Sequence, residues 1–340
     1  MLGYLQYHAA MSEWQPHEVL GLPNQEHIGL LDDTLRAPSA HNAQPWIIRP
    51  LPDGQSYELH YNQSEELPED HDNKDAYLTM GAFVETMVLE GPNRGFDVNV
   101  TPQLTCEGRD LYIAHVAITS STEEHILDPL SSVVRNRTTN RSAYKKDPLP
   151  DELKQDLEAL GNAIADPKAL QDVVLEANMN AWASERYVAD LKRWFHKSDR
   201  APDGLTASAL RLGRLGTLAL DLAFWRGKFK SRPMQWLYAS SEASMFTKAP
   251  SVAVLSSTDM SPPALFDAGR RLLRSWVTIN AAGYSYQPYS VAVDDRSTLP
   301  KVAAISGVEH PVALYRIGQA TRAQHRPSNR KPLQDVLSAN

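Results

Sequence analysis

Arg36-Ala37-Pro38-Ser39-Ala40-His41-Asn42-Ala43-Gln44-Pro45-Trp46 is the stretch on which the reading of this chain turns. It lies between an apolar-periodic helix and an apolar strand. Ser39 to Gln44 puts a hydroxyl, an imidazole and two carboxamides into six residues. Pro38 ends the helix before it, and Pro45 holds the chain extended as the strand begins. The expected result is a short, stiff, polar loop. Carboxamides carry donors and an acceptor. They suit a planar heterocycle with alternating N–H and C=O groups along its edge. Asn and Ser also build turns on their own account, so the loop alone leaves a ring-binding site and a plain turn equally open.

Working outward, Asn24 can cap a helix running to about Ala37, with Ile28, Leu31 and Leu35 on one face. Residues 1–22 lack clear periodicity and read as an arm on the rest. After the loop, Trp46–Leu51 reads as a strand, Pro52-Asp53-Gly54 as a turn, and Tyr57, Leu59 and Tyr61 as one face of the returning strand. Residues 63–73 read as an acidic loop. Met80, Phe83, Val84, Met87 and Val88 then mark a helix stopped by Gly91-Pro92. Two further strands follow, around 96–100 and 111–118. The first part of the chain thus ends near residue 125.

The second part opens on the basic stretch Arg135–Arg141. A helix is expected over Asp151–Leu160, more helix over 168–198 and 205–246, and a strand at Ser251–Ser257. Phe266–Ala282 reads as an amphipathic helix whose Arg270, Arg271 and Arg274 form a solvated face. Tyr286–Val293 and Val312–Ile317 read as closing strands. A helix, a glycine, an extended segment and an apolar strand occur at 75–118 and again at 266–317, a faint echo that two related halves would explain.

Composition narrows the function classes. With 42% hydrophobic and 22% charged residues, the 340-residue chain can bury a sizeable core. Its net charge of −7 argues against non-specific nucleic-acid binding. Cys106 is the only cysteine, which excludes an intrachain disulfide and a cysteine-ligated metal cluster. That fits a reducing cytoplasm, the compartment expected. Met1–Leu20 has no apolar core of signal-peptide type. The most apolar run, Leu215–Trp225, is too short to span a bilayer and holds Asp221. No G-x-G-x-x-G, P-loop, H-E-x-x-H or G-x-S-x-G pattern occurs. The histidines show no metal spacing, and His41 beside Ser39 does not by itself make a triad.

Arg137-x-Thr139-x-Arg141 stands apart. Two guanidinium groups and a hydroxyl on alternate positions suit a phosphate monoester; a basic surface turn would look the same. Together the two stretches resemble the nitroreductase superfamily of flavoenzymes. That family's phosphate motif is Arg-x-Ser-x-Arg, followed by a Pro-x-Pro turn into a helix. Here Arg137, Thr139 and Arg141 precede Pro148-Leu149-Pro150 and Asp151-Glu152-Leu153, with Thr in place of Ser. The family's ring motif, Pro-Ser-x-x-Asn-x-Gln-Pro-Trp, matches Pro38, Ser39, Asn42, Gln44, Pro45 and Trp46. In ordinary members the Arg motif comes first. Here the order is reversed, with about a hundred residues between the motifs. That order is similar to the Acg-type branch, in which one chain resembles a fused, degenerate nitroreductase dimer with a lid over the flavin. The resemblance spans roughly residues 25–335.

The resemblance implies an α+β fold of antiparallel-rich sheets wrapped by helices, in two unequal pseudo-twofold halves, residues 1–125 and 126–340. It implies FMN as cofactor. Arg137 and Thr139 would hold its phosphate, with Arg330 and Arg326 from the basic tail. Arg141 would face the electron-rich pyrimidine edge of the ring. Pro38, Ser39, Ala40 and Asn42 would line the ring, with Gln287 and Pro288 on the opposite edge. Gln44 and Trp46 would hold the loop and the strand, and residues 199–246 would form the lid or a plain helical pair. No protein acid or base is assigned. The implied function is an FMN-dependent oxidoreductase passing electrons from NAD(P)H to a nitro, quinone or related acceptor; the alternative is a flavin storage or sensing protein. The expected partners are small molecules, with no nucleic acid and no membrane, on a monomer or a homodimer.

Overall fold

The computed structural model describes residues 23–65, 70, 72–107, 110–121, 127–227, 231–322 and 327–338. The arm expected over 1–22 lies outside them. The fold is α+β. Strands β1 (Trp46–Pro50), β2 (Ser56–Asn62), β3 (Phe96–Glu107) and β4 (Asp110–Ser120) form one antiparallel sheet in the order β1-β2-β4-β3. Its tight β1–β2 turn follows from Asp53, whose carboxylate accepts the N–H groups of Gln55 and Ser56, and from Gly54 at φ +69°. Later in the chain come β5 (Asn162–Ala165), a parallel pair β6 (Phe195–His196) and β7 (Leu205–Thr206), then β8 (Ser251–Ser256), β9 (Ser285–Pro288) and β10 (Pro311–Gly318). The second main sheet has the order β5-β8-β10-β9, again antiparallel. Every residue of β10 is buried, Arg316 included.

Two long helices, Lys74–Glu90 and Pro262–Ala281, cross between the sheets. Their backbones meet at glycines. A Cβ on Gly81 would lie 2.1 Å from the carbonyl oxygen of Phe266, and one on Gly269 would lie 2.2 Å from that of Leu78. One hydrophobic core joins both helices to both sheets, from Leu30, Trp46 and Phe83 to Leu265, Tyr286 and Tyr315.

The arginines of the second long helix are not a solvated face. Arg270 and Arg274 place their Nε atoms 2.6 and 2.5 Å from the two carboxylate oxygens of Glu85, which is 1% exposed. A buried carboxylate on an otherwise apolar face must be paired, and its partners lie 185 and 189 residues away, beyond the reach of periodicity. Arg271 caps the carbonyls of Leu160 and Ser256. The first helix is shorter than its pattern, Ile28–Thr34, because Asn24 accepts the Glu26 N–H in a turn instead of capping. The closing strand expected over 286–293 stops at Pro288, and Val291–Asp294 is a helical turn. Helix over 168–198 divides at Ser184, whose hydroxyl caps the Tyr187 N–H.

The C-terminal segment returns to the first sheet. Ile48 donates to the Val336 carbonyl at 2.9 Å and accepts from Ser338 at 3.0 Å, while Leu333 and Val336 enter the core. This pairing carries Arg330 across the molecule to the loop after the first helix.

Two carboxyl groups, Asp70 and Asp294, are both pushed up by burial and set a pH dependence. Asp70, 5% exposed, accepts the N–H groups of Asp75 and Ala76 at 3.0 Å each, at the start of helix Lys74–Glu90. Burial, then the neighbouring Asp75 carboxylate, pushes its carboxyl up to about 7. The folded chain therefore keeps a proton that the unfolded chain has released above about pH 4. Asp70 stabilises the fold fully below that pH, and its contribution is lost as pH rises towards 7. Denaturant midpoints should fall over this range, and Asp70→Asn should remove the part of the slope that Asp70 supplies.

Candidate functional site

The loop Pro38–Pro45 is strained and held from several sides. His41, Asn42 and Gln44 have φ of 51, 57 and 55°, in the left-handed region. Asn and His visit it more readily than most residues, but Gln does so at a cost of about 1–3 kcal/mol. Ser39 Oγ accepts the Gln44 N–H at 3.0 Å and begins the tie. The buried Gln44 side chain completes it. Its Nε2 donates to the carbonyls of Asn42 (3.2 Å) and Pro202 (2.9 Å), and its Oε1 accepts the Lys331 N–H (2.8 Å). Trp46, 1% exposed, stacks on Phe83 at 4.7 Å and anchors the strand that follows. Backbone strain this firmly determined marks a loop built for a task.

Three guanidinium groups converge beside this loop. Arg330 donates to the carbonyls of Leu35 (2.6 Å), Arg36 (3.1 Å) and Ala37 (3.0 Å) at the end of the first helix, and to Asn42 Oδ1 (3.0 Å). Arg137, 7% exposed, donates from Nη1 to the Tyr286 hydroxyl and from Nη2 to the Arg36 carbonyl at 3.3 Å. Arg36 reaches the Ser328 carbonyl at 3.2 Å. Among the described residues no carboxylate is ion-paired with any of the three. Burial, then Arg36 and Arg137, hold the Arg330 guanidinium well below its usual range. Burial, then Arg137, lower that of Arg36, and the Asp32 carboxylate opposes them. Arg137 Nε is buried with no acceptor. Three clustered cations with an orphaned inward donor have the chemistry of a site for a multiply charged oxyanion.

Asn42 connects this cluster to the next element. Its Nδ2 donates to the carbonyls of Gly204 and Asn329, each at 3.3 Å, and its backbone carbonyl accepts the Gly204 N–H at 3.2 Å. Asn329 in turn donates to the carbonyls of Asp199 and Ala201. Arg211 donates to Asn140 Oδ1 at 3.0 Å, and Ala209 accepts from Arg141 at 3.1 Å. Residues 199–211 thus lie on the polar loop and on the Arg motif together. Gly204, at φ +72°, has room for no Cβ, which would lie 2.5 Å from the Trp194 carbonyl oxygen.

The remaining assigned residues point elsewhere. Arg141 turns from the three arginines to a second polar cluster. There burial lowers its pKa, and the Glu242 carboxylate opposes that shift most strongly. Burial pushes the Glu242 carboxyl up, against Arg141 and Arg316. Gln287 lies in the same cluster, its Oε1 accepting from Arg316 at 3.0 and 2.6 Å. Arg316 is fully buried and covers the Tyr144 ring at 4.2 Å. Pro288 pairs with Tyr315 in β9–β10. Asn140 joins the two clusters by donating its N–H to the carbonyl of Tyr286, whose ring stacks on Trp276. Pro38, Ser39 and Ala40 stay in the loop, Thr139 is half-buried between the clusters, and Arg326 lies outside the described residues.

Three participants carry no role in the sequence reading. Arg36 opens the polar stretch, and its signal was a third arginine beside the motif. Glu242 and Asp190 carried none. Asp190, whose carboxylate is nearly buried, lies 3.0 Å from His41 Nδ1, an ion-pair separation without hydrogen-bond alignment.

No protein-family model matches the sequence, and no curated protein matches it. Among solved structures, the chain is similar to the FMN-dependent nitroreductase NfnB from Mycobacterium smegmatis in complex with NADPH. The identity is 19%, the match covers 61% of this chain and 96% of that one, and the TM-score is 0.38. It is also similar to the FMN and NADPH-dependent nitroreductase NfnB from sphigopyxis sp. strain HMH, at 17% identity over 62% of this chain and 97% of that one, with a TM-score of 0.37.

Proposed function

We propose that this chain binds FMN and acts as an oxidoreductase of nitroreductase type, passing electrons from NAD(P)H to a nitro, quinone or related organic acceptor. The observation that carries the reading is the convergence of Arg36, Arg137 and Arg330, unpaired with carboxylate, beside the strained loop that holds Asn42. The orphaned Arg137 Nε, with the Arg36 guanidinium beside it, fits a phosphate monoester. Arg330 is saturated by carbonyls, so its part is to fix the loop and supply positive field. Bound FMN would supply the electron-transfer chemistry. The chain's own residues bind its phosphate, hold the loop against its ring and keep water out beneath residues 199–211. These residues are the lid in this reading, while helices Arg214–Arg226 and Arg232–Phe246 pack behind them on Trp182 and Leu191. The two antiparallel sheets and two crossing helices fit two related halves, 1–125 and 126–340.

Anaerobic mixing of the FMN-loaded chain with NADPH and with NADH tests the activity. The expected result is bleaching of the yellow flavin absorption by at least one of them. A second reading, flavin storage or sensing, is favoured by the hydrogen bonds that tie residues 199–211 down over Asn42, Gln44 and Arg141. Flavin that binds but stays oxidised with both nicotinamides would select it.

Asn42, Arg137 and Arg330 meet within one chain, so one chain should bind one FMN. An Asn42→Ala chain mixed with an Arg137→Ala chain should then recover no binding beyond the sum of the two. Recovery would mean that the site is shared between chains.

A further inference from the structure

Helix Arg214–Arg226 is apolar on two faces. Leu220, Ala223 and Phe224 pack inward with Trp182 and Leu191. Leu215, Leu218, Leu222 and Trp225 face out, 83, 63, 41 and 76% exposed. Their spacing of three, four and three residues places them on one stripe of the helix. Trp236 and Leu237, early in the next helix, are 58 and 54% exposed. Single exposed leucines need no explanation, but a whole stripe of large apolar side chains marks an interaction surface.

Charge identifies what covers it. From Arg214 to Arg232 the sequence holds five basic residues and one acid, in a chain whose net charge is −7. That acid, Asp221, is already bound to Lys197 at 2.6 Å. At the edge of the stripe a cleft is lined by Phe195, Phe224 and Trp225, by Lys192 and by the Lys197–Asp221 pair. A second copy of this face, docked across a twofold axis, would set like charge against like. Leucine and tryptophan on one face with basic residues at the helix ends instead suit the interface of an anionic bilayer. There tryptophan rings sit at headgroup level, and basic side chains meet lipid phosphates.

We propose that helix Arg214–Arg226 is a membrane-surface element that lies in the interfacial plane of an anionic bilayer. It rests on the membrane and does not cross it, since no described helix is long and apolar enough to do so. This revises the expectation of a chain without a membrane partner, and it is independent of the FMN reading.

The test mixes the full chain with phosphatidylcholine vesicles and with phosphatidylcholine–phosphatidylglycerol vesicles, followed by flotation. The chain should float with the anionic vesicles, much less with the neutral ones, and should be released by added salt. The variant Leu215→Gln, Leu218→Gln should bind at least about tenfold more weakly, with an unchanged melting temperature because both side chains are mostly exposed. Anionic vesicles with brominated acyl chains should quench the tryptophan fluorescence of the unaltered chain, a readout that needs no variant. Failure to float, equal binding by the variant, or flotation without quenching overturns the proposal. So does a dimer on gel filtration that the variant makes monomeric while neither form floats, which would make a second copy the occupant.

Discussion

Arg137→Ala should weaken FMN binding by about 10- to 150-fold and leave riboflavin binding nearly unchanged. A hydrogen bond from a charged donor to a charged acceptor contributes about 1.5–3 kcal/mol, and only FMN presents the phosphate. Arg137 is suited to this because its Nε is buried without an acceptor while Nη1 and Nη2 are fixed by the Tyr286 hydroxyl and the Arg36 carbonyl. The donor is thus already aimed, and little side-chain order is lost on binding. Arg137→Lys should recover little, since an ammonium lacks the guanidinium fork. Arg330→Ala should behave differently. Its donors hold the carbonyls of Leu35, Arg36 and Ala37 and the Asn42 amide, so its loss frees the loop and should weaken riboflavin as well as FMN. Titrations of both ligands, read by flavin fluorescence, separate the two roles. Equal losses of riboflavin and FMN in Arg137→Ala would end its assignment as a phosphate ligand.

The contrast between Arg137 and Arg36 shows what the sequence made legible. Arg137 stands in a spaced motif, so its chemistry is visible within five residues. Arg36 stands one residue beyond a helix pattern and looks like a helix end. Its partnership with Arg137, 101 residues on, exists only once the first helix and the Arg motif pack together. Local chemistry predicted the stiff loop after Pro38, the β1–β2 turn and the closing strand at Val312–Ile317. It could not predict that Glu85 would be buried in a helix face, and so it left Arg270 and Arg274 to solvent. Nor could it place residues 199–211, which carry no periodic apolar pattern and lie where they do through carbonyls accepting from Gln44, Asn329 and Arg141. Backbone groups have no signature in a residue string. His41 is the same case: its tie to Asp190 spans two elements, neither of which signals the other.

Gly81→Ala and Gly269→Ala should each destabilise the fold by about 3 kcal/mol or more, the upper range of overpacking costs. Alanine normally favours a helix by about 1 kcal/mol over glycine, so propensity alone predicts the opposite sign. Geometry decides. The added methyl on Gly81 would meet the Phe266 carbonyl oxygen at 2.1 Å and the Arg270 nitrogen at 3.0 Å; that on Gly269 would meet the Leu78 carbonyl at 2.2 Å. These are backbone atoms inside regular helices and cannot turn aside as a side chain does. The only relief is to part helices Lys74–Glu90 and Pro262–Ala281, which join the two sheets through the main core. Gly216→Ala is the control. It lies in a helix and its nearest neighbour would be Leu212 at 3.5 Å, an ordinary contact, so it should be neutral or stabilising. The contacts are reciprocal, each glycine receiving the other helix's backbone. The two single variants should therefore cost alike. The double variant should cost clearly less than their sum, because either methyl already parts the helices for the other. Denaturant midpoints of the four proteins, compared at unchanged slope, test this. Tolerance of either alanine, or strict additivity, would mean that the helices do not cross at these glycines.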